Sequence, residues 1–585
     1  MKFLFPILLL CLFHHSYGQD TLSTEPKEKF IEKINFIKDV DFFKYIGDSK
    51  AKCDGSNFDK IACQQYEGRT IREVKIEILD PFGHINKEEL KRPKFFDLAD
   101  KLHQSTPERI VENQLLFKSG DAFNTNDISA SQQILFENEI FRDAQIFVYE
   151  DPTDPTIVDI YVMVQDLWSW SFWGEATDKY VGGKLIFNKF AGHPHKFIGG
   201  INFNFDKENL LTGSLAYDYR NIKRTFIDVS ASAVQDWEMY RYEVQVKRGF
   251  FSPTPQWAGA VKLGWYRDYF EDYKDQAFRN EQDYWLARSF PFKTNKTDNV
   301  NLVLAGRVTR NFYNNAPERE EVKYNDIRFV NTNSYLMGIG IANRNYVREK
   351  NIFDFFPYRN LPTGFNAQLI GGVIYKSDLT MRGYMGTSFS HSLMTCAGYF
   401  HEEFAAGSYI NNGLEQITFN IKSKYFTHRF PLKEWGIRQY VYQSLVLGFL
   451  RPEGQDINLG NNTVKGLRQN FNGNSYYSLN LETEIQSPIR FAGFQARLFV
   501  FADFGVQGNN SNVPLGGASF YHAYGFGARL NNWKLGIGYL ELALAYYPNT
   551  NGLENSPIQF LQNFGNRNVI EPRNLYYKDG IATVN

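Results

Sequence analysis

The chain has 585 residues, with 64 Lys and Arg against 65 Asp and Glu for a net charge of −1, and aromatic residues reach 16% while mean hydropathy stays at −0.41. A balance this close to neutral excludes the electrostatic footprint of a nucleic-acid partner, and four cysteines in such a length exclude a disulfide scaffold. With 52 Phe and 35 Tyr the chain is rich in strand-forming and interface side chains without being hydrophobic overall, as strands with one apolar and one polar face require.

The chain opens Met1-Lys2-Phe3, runs apolar from Leu4 to Phe13 and offers Ser16-Tyr17-Gly18. This pattern predicts a secretory signal peptide over residues 1–18. The apolar run is too short to span a bilayer, and Leu8-Leu9-Leu10 before Cys11 lacks the small residues that precede a lipidated cysteine. Beyond it no run approaches the ~20 apolar residues of a membrane helix; the best, Leu445 to Leu450, has strand length. Residues 19–68 form a polar segment in which Phe30, Ile34 and Ile37 recur at helical spacing, either a short amphipathic helix or a linker packed on the next domain. Cys53 and Cys63 are near enough to close a small disulfide loop in an oxidising compartment, the alternative being two free thiols; Cys396 lies in a distant strand-like run.

Thr70 to Leu79 alternates as a strand, and Thr106-Pro107-Glu108 reads as a threonine N-cap with proline in the first turn of a helix. Gly120-Asp121 ends that helix, Asn126-Asp127 opens a second, and two β-runs come next, Ala144 to Tyr149 and Ile157 to Val164. The order strand, helix, helix, strand, strand is joined to the phrases Leu115-Leu116-Phe117-Lys118-Ser119-Gly120-Asp121, Ile140-Phe141-Arg142-Asp143 and Val158-Asp159-Ile160. Together these resemble a POTRA domain over residues 69–166, the periplasmic module that precedes the barrel in the BamA and TamA outer-membrane assembly family and in two-partner secretion transporters. The resemblance implies that Ala144 to Tyr149 is an edge to which an extended client strand adds. The alternative is a small α+β domain that merely supports or plugs the barrel.

From Trp168 the pattern changes. Leu211, Leu215 and Tyr217 oppose Thr212, Ala216 and Asp218; Tyr242, Val244 and Val246 oppose Glu243, Gln245 and Lys247; Leu479, Leu481 and Ile485 oppose Asn480, Glu482 and Glu484. A cation facing the bilayer midplane costs about 2–4 kcal/mol, so the polar rows are expected to face a wet lumen and the apolar rows lipid. Residues 167–585 are thus read as an antiparallel transmembrane β-barrel of about sixteen strands. Trp168 to Glu175 is expected as the first strand, Leu535 to Tyr547 as the penultimate one and Gln559 to Tyr577 as the source of the last.

In the BamA-like family a long extracellular loop carries a Val-Arg-Gly-aromatic motif whose arginine meets an aspartate in a Phe-x-Asp-x-Gly motif. Phe501-Ala502-Asp503-Phe504-Gly505 matches the second motif; Gly466-Leu467-Arg468 resembles the first, with Gln469-Asn470 where Gly and an aromatic are expected. Glu484-Ile485-Gln486-Ser487-Pro488 is similar to the family's Glu-x-Arg-x-Pro, with Gln486 in the arginine position. The resemblance implies a loop lock of Arg468, Asp503 and Glu484 inside the lumen. It also implies a location in the outer membrane with the N-terminal domain in the periplasm. The partners implied are outer-membrane lipid, an extended client polypeptide and periplasmic assembly factors, and the implied role is assistance in protein insertion or translocation. Two other readings stay open, a passive porin or structural barrel and a barrel enzyme acting on lipid. The sequence holds no Gly-x-Ser-x-Gly elbow, His-Glu-x-x-His or phosphate loop, and His193-Pro194-His195 reads as a surface pair, so no catalytic residue, cofactor or metal is expected.

Overall fold

The computed structural model describes residues 63–81 and 103–565. Within the second range it leaves out 139, 177–179, 191, 206–210, 236–238, 252–256, 271–274, 294–298, 316–329, 351, 353–357, 377–380, 452–456, 458–462, 468–472, 492–493, 509–512, 514, 532–538 and 549–556. The signal-peptide stretch, most of the segment 19–68 with Cys53, and Arg468 therefore lie outside the described residues. Cys63 is disulfide-bonded, and Cys396 is a free, exposed thiol.

The N-terminal part has the element order read from the sequence: β1 (Thr70–Leu79), α1 (Glu108–Glu112), α2 (Thr125–Glu137), β2 (Phe141–Glu150) and β3 (Ile157–Asp166). Strand β3 is central, parallel to β1 and antiparallel to β2. Both faces of β3 are covered, which is why it reads as the nearly unbroken apolar run Ile157 to Val164. Ile71, Val111, Ile128, Leu135, Ile146 and Val162 meet in the core beneath the sheet. Two helix starts differ from expectation. Asn124, rather than Asn126, caps α2, its side-chain oxygen accepting from the backbone N–H of Asn126 at 2.9 Å. Pro107 stands at the N-cap of α1, because the Thr106 side chain is engaged elsewhere.

In the first turn of α2, burial and then the nearby carboxylates of Glu67 and Asp121 push the Asp127 carboxyl from 3.8 up to about 6. A raised carboxyl pKa penalises the folded state above that pKa and not below the unfolded value. Asp127→Asn should therefore stabilise this domain by ~1 kcal/mol at pH 7.5, after allowing for solvent screening, with the gain vanishing near pH 4. Denaturant titrations at the two pH values check the sign.

Among the described residues from Trp170 to Gly565, twenty-one strand segments form one closed barrel in which every pairing with a recorded register is antiparallel, with closure between Ile558–Gly565 and Trp170–Ala176. This exceeds the sixteen expected. Phe430–Leu432 continues Leu414–Thr427 along the same partner, Trp435–Phe449. The remaining excess comes mainly from the short strands between Trp170 and Arg248, each of 7 to 10 residues. The first, penultimate and last strands, Trp170–Ala176, Tyr539–Tyr546 and Ile558–Gly565, fall where the sequence places them.

The faces follow the alternation. Leu215, Tyr242, Val244, Leu286, Met337, Leu369, Val500 and Phe526 point out of the barrel and are exposed, while Thr212, Asp283, Glu482, Glu484, Arg497 and Asp503 point in and are buried. A closed sheet leaves no edge and satisfies its backbone internally. Apolar side chains around its whole exterior make hydrocarbon the medium it suits, so the protein is a transmembrane β-barrel. The connections at the end beside the N-terminal domain include the two-residue turns 396–397 and 433–434, whereas the opposite end carries the long connection 450–474.

Candidate functional site

The strands Ser475–Phe491, Phe494–Gly508, Ser519–Asn531 and Tyr539–Tyr546 are consecutive in the wall. Their register places Arg529 beside Arg497 and Glu541, Phe501 beside Glu482, and Asp503 beside Asn480. Alternation turns all these side chains to the lumen, so sequence separation of up to 61 positions becomes contact on one inner surface.

Arg529 is the centre. Its guanidinium grips Glu482 with two parallel bonds of 2.7 and 2.9 Å, donates from Nε to Glu541 at 2.7 Å and lies 3.5 Å from Glu484. Arg497 pairs with Glu484 at 3.1 Å. Arginine suits this place because its planar fork serves several carboxylates at once and it stacks, here 4.0 Å from the Phe499 ring centre. Arg529, Arg497, Glu482 and Glu484 are each no more than 2% exposed, so their charges are held out of bulk water and depend on one another.

The loop between Trp435–Phe449 and Ser475–Phe491 returns into this cluster at residues 463–467. The Lys465 backbone N–H donates to Asp503 at 2.9 Å, and its ammonium lies 3.2 Å from Glu541 and 3.5 Å from Glu482. That ammonium also sits 4.6 and 4.8 Å from the ring centres of Phe499 and Phe501. Asn480 donates to the Thr463 carbonyl at 2.7 Å and the Tyr547 hydroxyl to the Lys465 carbonyl at 2.8 Å. Val464 and Leu467 are buried among Phe499, Phe501 and Ala543. Gly466 has φ +76°, and a Cβ there would collide with Tyr547 and Leu561, so both its conformation and its clearance require glycine. Gly525 and Gly527 make room in the wall for the Phe501 and Phe499 rings.

Of the residues the motifs single out, Asp503, Glu484, Phe501, Gly466 and Leu467 meet in this cluster. Gly505 and Pro488 lie on the two strands that frame it, and Arg468 lies outside the described residues. Sequence reasoning misses Lys465, Arg497, Arg529 and Glu541. Lys465 does carry a signal: Val464-Lys465-Gly466-Leu467 has the Val-basic-Gly-apolar order of the loop motif, with its basic residue three positions before Arg468. Arg497 and Arg529 carry no local signal, since only strand register brings them to the carboxylates.

A second buried cluster joins the N-terminal domain to the barrel rim. Asp166, at the end of β3, accepts from the Thr106 N–H at 2.9 Å and hydroxyl at 2.7 Å, and is held by His103 at 3.0 Å and by the Lys189 ammonium at 2.8 Å. Lys189 belongs to the turn after Tyr180–Phe187 in the barrel. His103 is in turn 3.1 Å from the Ser169 hydroxyl. Burial alone would raise the Asp166 carboxyl, but its bond to His103 and the Lys189 charge hold it below the usual range.

No family model matches the chain, and no curated protein matches it. Among solved structures it is similar to BamA from Haemophilus ducreyi lacking POTRA domains 1–3, with 13% identity over 96% of this chain and 97% of that one and a TM-score of 0.39. It is similar to CdiB from Acinetobacter baumannii (12% identity, 85% and 74% covered, TM-score 0.40) and to CdiB from Escherichia coli (11%, 85% and 76%, TM-score 0.42).

Removing the Lys465 ammonium takes away its contacts with Glu482 and Glu541 but leaves its backbone bond to Asp503. Lys465→Met is expected to raise the rate of proteinase K cleavage in the loop about tenfold, with the barrel still folded by heat-modifiable gel mobility, and Lys465→Arg to leave it unchanged. Equal rates in wild type and Lys465→Met would show that the ammonium does not pin the loop.

Proposed function

We propose that this chain is an outer-membrane barrel that assists polypeptides into or across the membrane, with its N-terminal domain on the periplasmic side. The observation that carries the reading is the return of residues 463–467 onto Asp503, Glu482 and Glu541, beside a Phe-x-Asp-x-Gly strand. A loop seated in the lumen narrows a passive pore, which is the alternative reading. A device that must hold its lumen shut while its wall opens gains from such a loop.

The wall supports the same reading. On either side of the closure, Trp170–Ala176 and Ile558–Gly565 span 7 and 8 described residues, whereas Asp275–Lys293 and Thr332–Lys350 span 19. The closure joins the first strand to the last described one, and an incoming strand would pair there. Strand β2, at the edge of its sheet, supplies a surface for an extended client.

No chemical step is assigned. Among the described residues there are two Ser–His–carboxylate chains, Ser169–His103–Asp166 and Ser392–His401–Glu403, but their serines and histidine rings are buried at the rim and in the lumen, away from lipid. The test is depletion of the protein in its host with quantitation of other outer-membrane barrels. Their abundance should fall severalfold; an unchanged outer-membrane proteome counts against an assembly role.

A further inference from the structure

The hairpin made by Thr332–Lys350 and Tyr358–Lys376 is longer than the wall that contains it. It pairs with itself from Thr332 and Lys376 through to Lys350 and Tyr358. Its registered neighbours stop earlier: the preceding strand pairs with it up to Asn343, and the following strand starts at Gly364. Residues 344–350 and 358–363 thus form a two-stranded extension beyond the wall, on the side of the N-terminal domain. The departure point is built for a bend. Gly364 has φ +121°, and a Cβ there would collide with the Asn343 carbonyl across the hairpin.

The extension has two unlike faces. One meets the N-terminal domain through polar contacts: Arg344 with Glu137 at 2.9 Å, Arg348 with Asp143 at 2.6 Å, and Asn360 with Gln133 at 2.8 Å. The other is apolar and turns to the far inner wall. Leu361 and Ile352 are buried with Tyr399, Phe426 and Tyr440, which belong to strands two to four places further round the barrel. Tyr399 donates to the Pro362 carbonyl at 2.6 Å, and Glu349 pairs with the fully buried Arg438 at 3.0 Å. Contacts with strands that are not its neighbours require the extension to cut across the barrel opening as a chord.

We infer that the strand arms 344–350 and 358–363, with Ile352, are a built-in flap that closes the domain-side mouth of the lumen, hinged at Asn343 and Gly364 and seated on the wall by Leu361, Ile352 and the Glu349–Arg438 pair. The seat is apolar and fully buried, whereas the contacts to the domain are polar with partly exposed carboxylates, so the stronger hold is on the wall. The flap therefore belongs to the barrel and shuts it whatever the domain does, and this holds whether or not polypeptide is what passes.

The test places a reporter behind the flap. Ser444 stands on the same lumenal row as Tyr440, further from the mouth. Ser444→Cys in a Cys396→Ser background, as the full chain in lipid nanodiscs, is labelled with a charged methanethiosulfonate reagent. Both barrel ends are then exposed to reagent, and the loop at the opposite end is common to every variant. Replacing residues 347–361 by Asn-Gly should speed labelling about tenfold, and Leu361→Glu, which puts a carboxylate against Phe426 and Tyr440, should speed it as well. If the trimmed protein does not fold, Leu361→Glu alone decides. Labelling of the folded variants at the rate of the intact flap, or labelling of the intact protein as fast as a free thiol, overturns the inference.

Discussion

Arg529→Met should cost the barrel about 3–5 kcal/mol of unfolding free energy, because it removes one partner of a buried ionic group and leaves the other charges in place. Glu482 loses both of its short bonds, Glu541 loses the bond from Nε, and Glu484 keeps Arg497 as its ion-pair partner and the Gln486 amide as a donor. Among the described residues, Lys465 and Arg497 would then face Glu482, Glu484, Asp503 and Glu541, two cations against four carboxylates. Methionine approximates the volume, so the loss is electrostatic rather than a cavity effect. Urea titration of the protein in micelles, followed by heat-modifiable mobility and tryptophan emission, measures it. The double variant Arg529→Met/Glu482→Gln should lose less than the sum of the two single losses, since part of the penalty is the stranded charge itself. A single-variant loss below about 1 kcal/mol would mean that water reaches the cluster and screens it.

Asp166→Asn should release the N-terminal domain from the rim at a cost of similar size, ~3 kcal/mol, by stranding Lys189 in a site with no exposed side-chain surface. The expected readout is rapid proteolysis between β3 and the first barrel strand, with the barrel still folded; Asp166→Asn/Lys189→Met should restore much of the resistance. The pH dependence has a definite sign. The folded carboxyl lies below its usual range, its bond to His103 and the Lys189 charge outweighing burial. A depressed carboxyl contributes stability above the unfolded pKa and loses it as pH falls through the folded one. The weld should therefore be intact at neutral pH and fail only below about pH 4.

How much of the molecule is legible in the sequence depends on the element. The strands around Asn480–Gln486 and Arg497–Phe504 declare both faces, because ionic and apolar residues alternate without interruption. Between Tyr180 and Gly213 the signal fades: Gly182, Gly183, Gly199, Gly200 and Gly213 fall on both faces of short strands and erase the contrast on which period-two reading depends, so the expected count falls short there. The loop lock is half legible. Asp503 and Glu484 follow from a motif and Arg468 lies outside the described residues, while Lys465, whose backbone N–H reaches Asp503, is not singled out. Arg497, Arg529 and Glu541 cannot be chosen among many arginines and glutamates without register. The flap is least legible of all, since Arg344 to Lys350 continues the alternation of its strand and nothing local marks where the neighbouring strands stop.

The most direct test of a closed barrel with its charges turned inward is a nitroxide scan along Leu498–Phe504, in the reconstituted protein, comparing collision with oxygen dissolved in lipid and with a water-soluble nickel chelate. The expected profile has a period of two, with oxygen access greatest at Leu498, Val500 and Phe504 and low at Phe499, Phe501 and Asp503. The opposite phase, or a flat profile, would contradict that architecture.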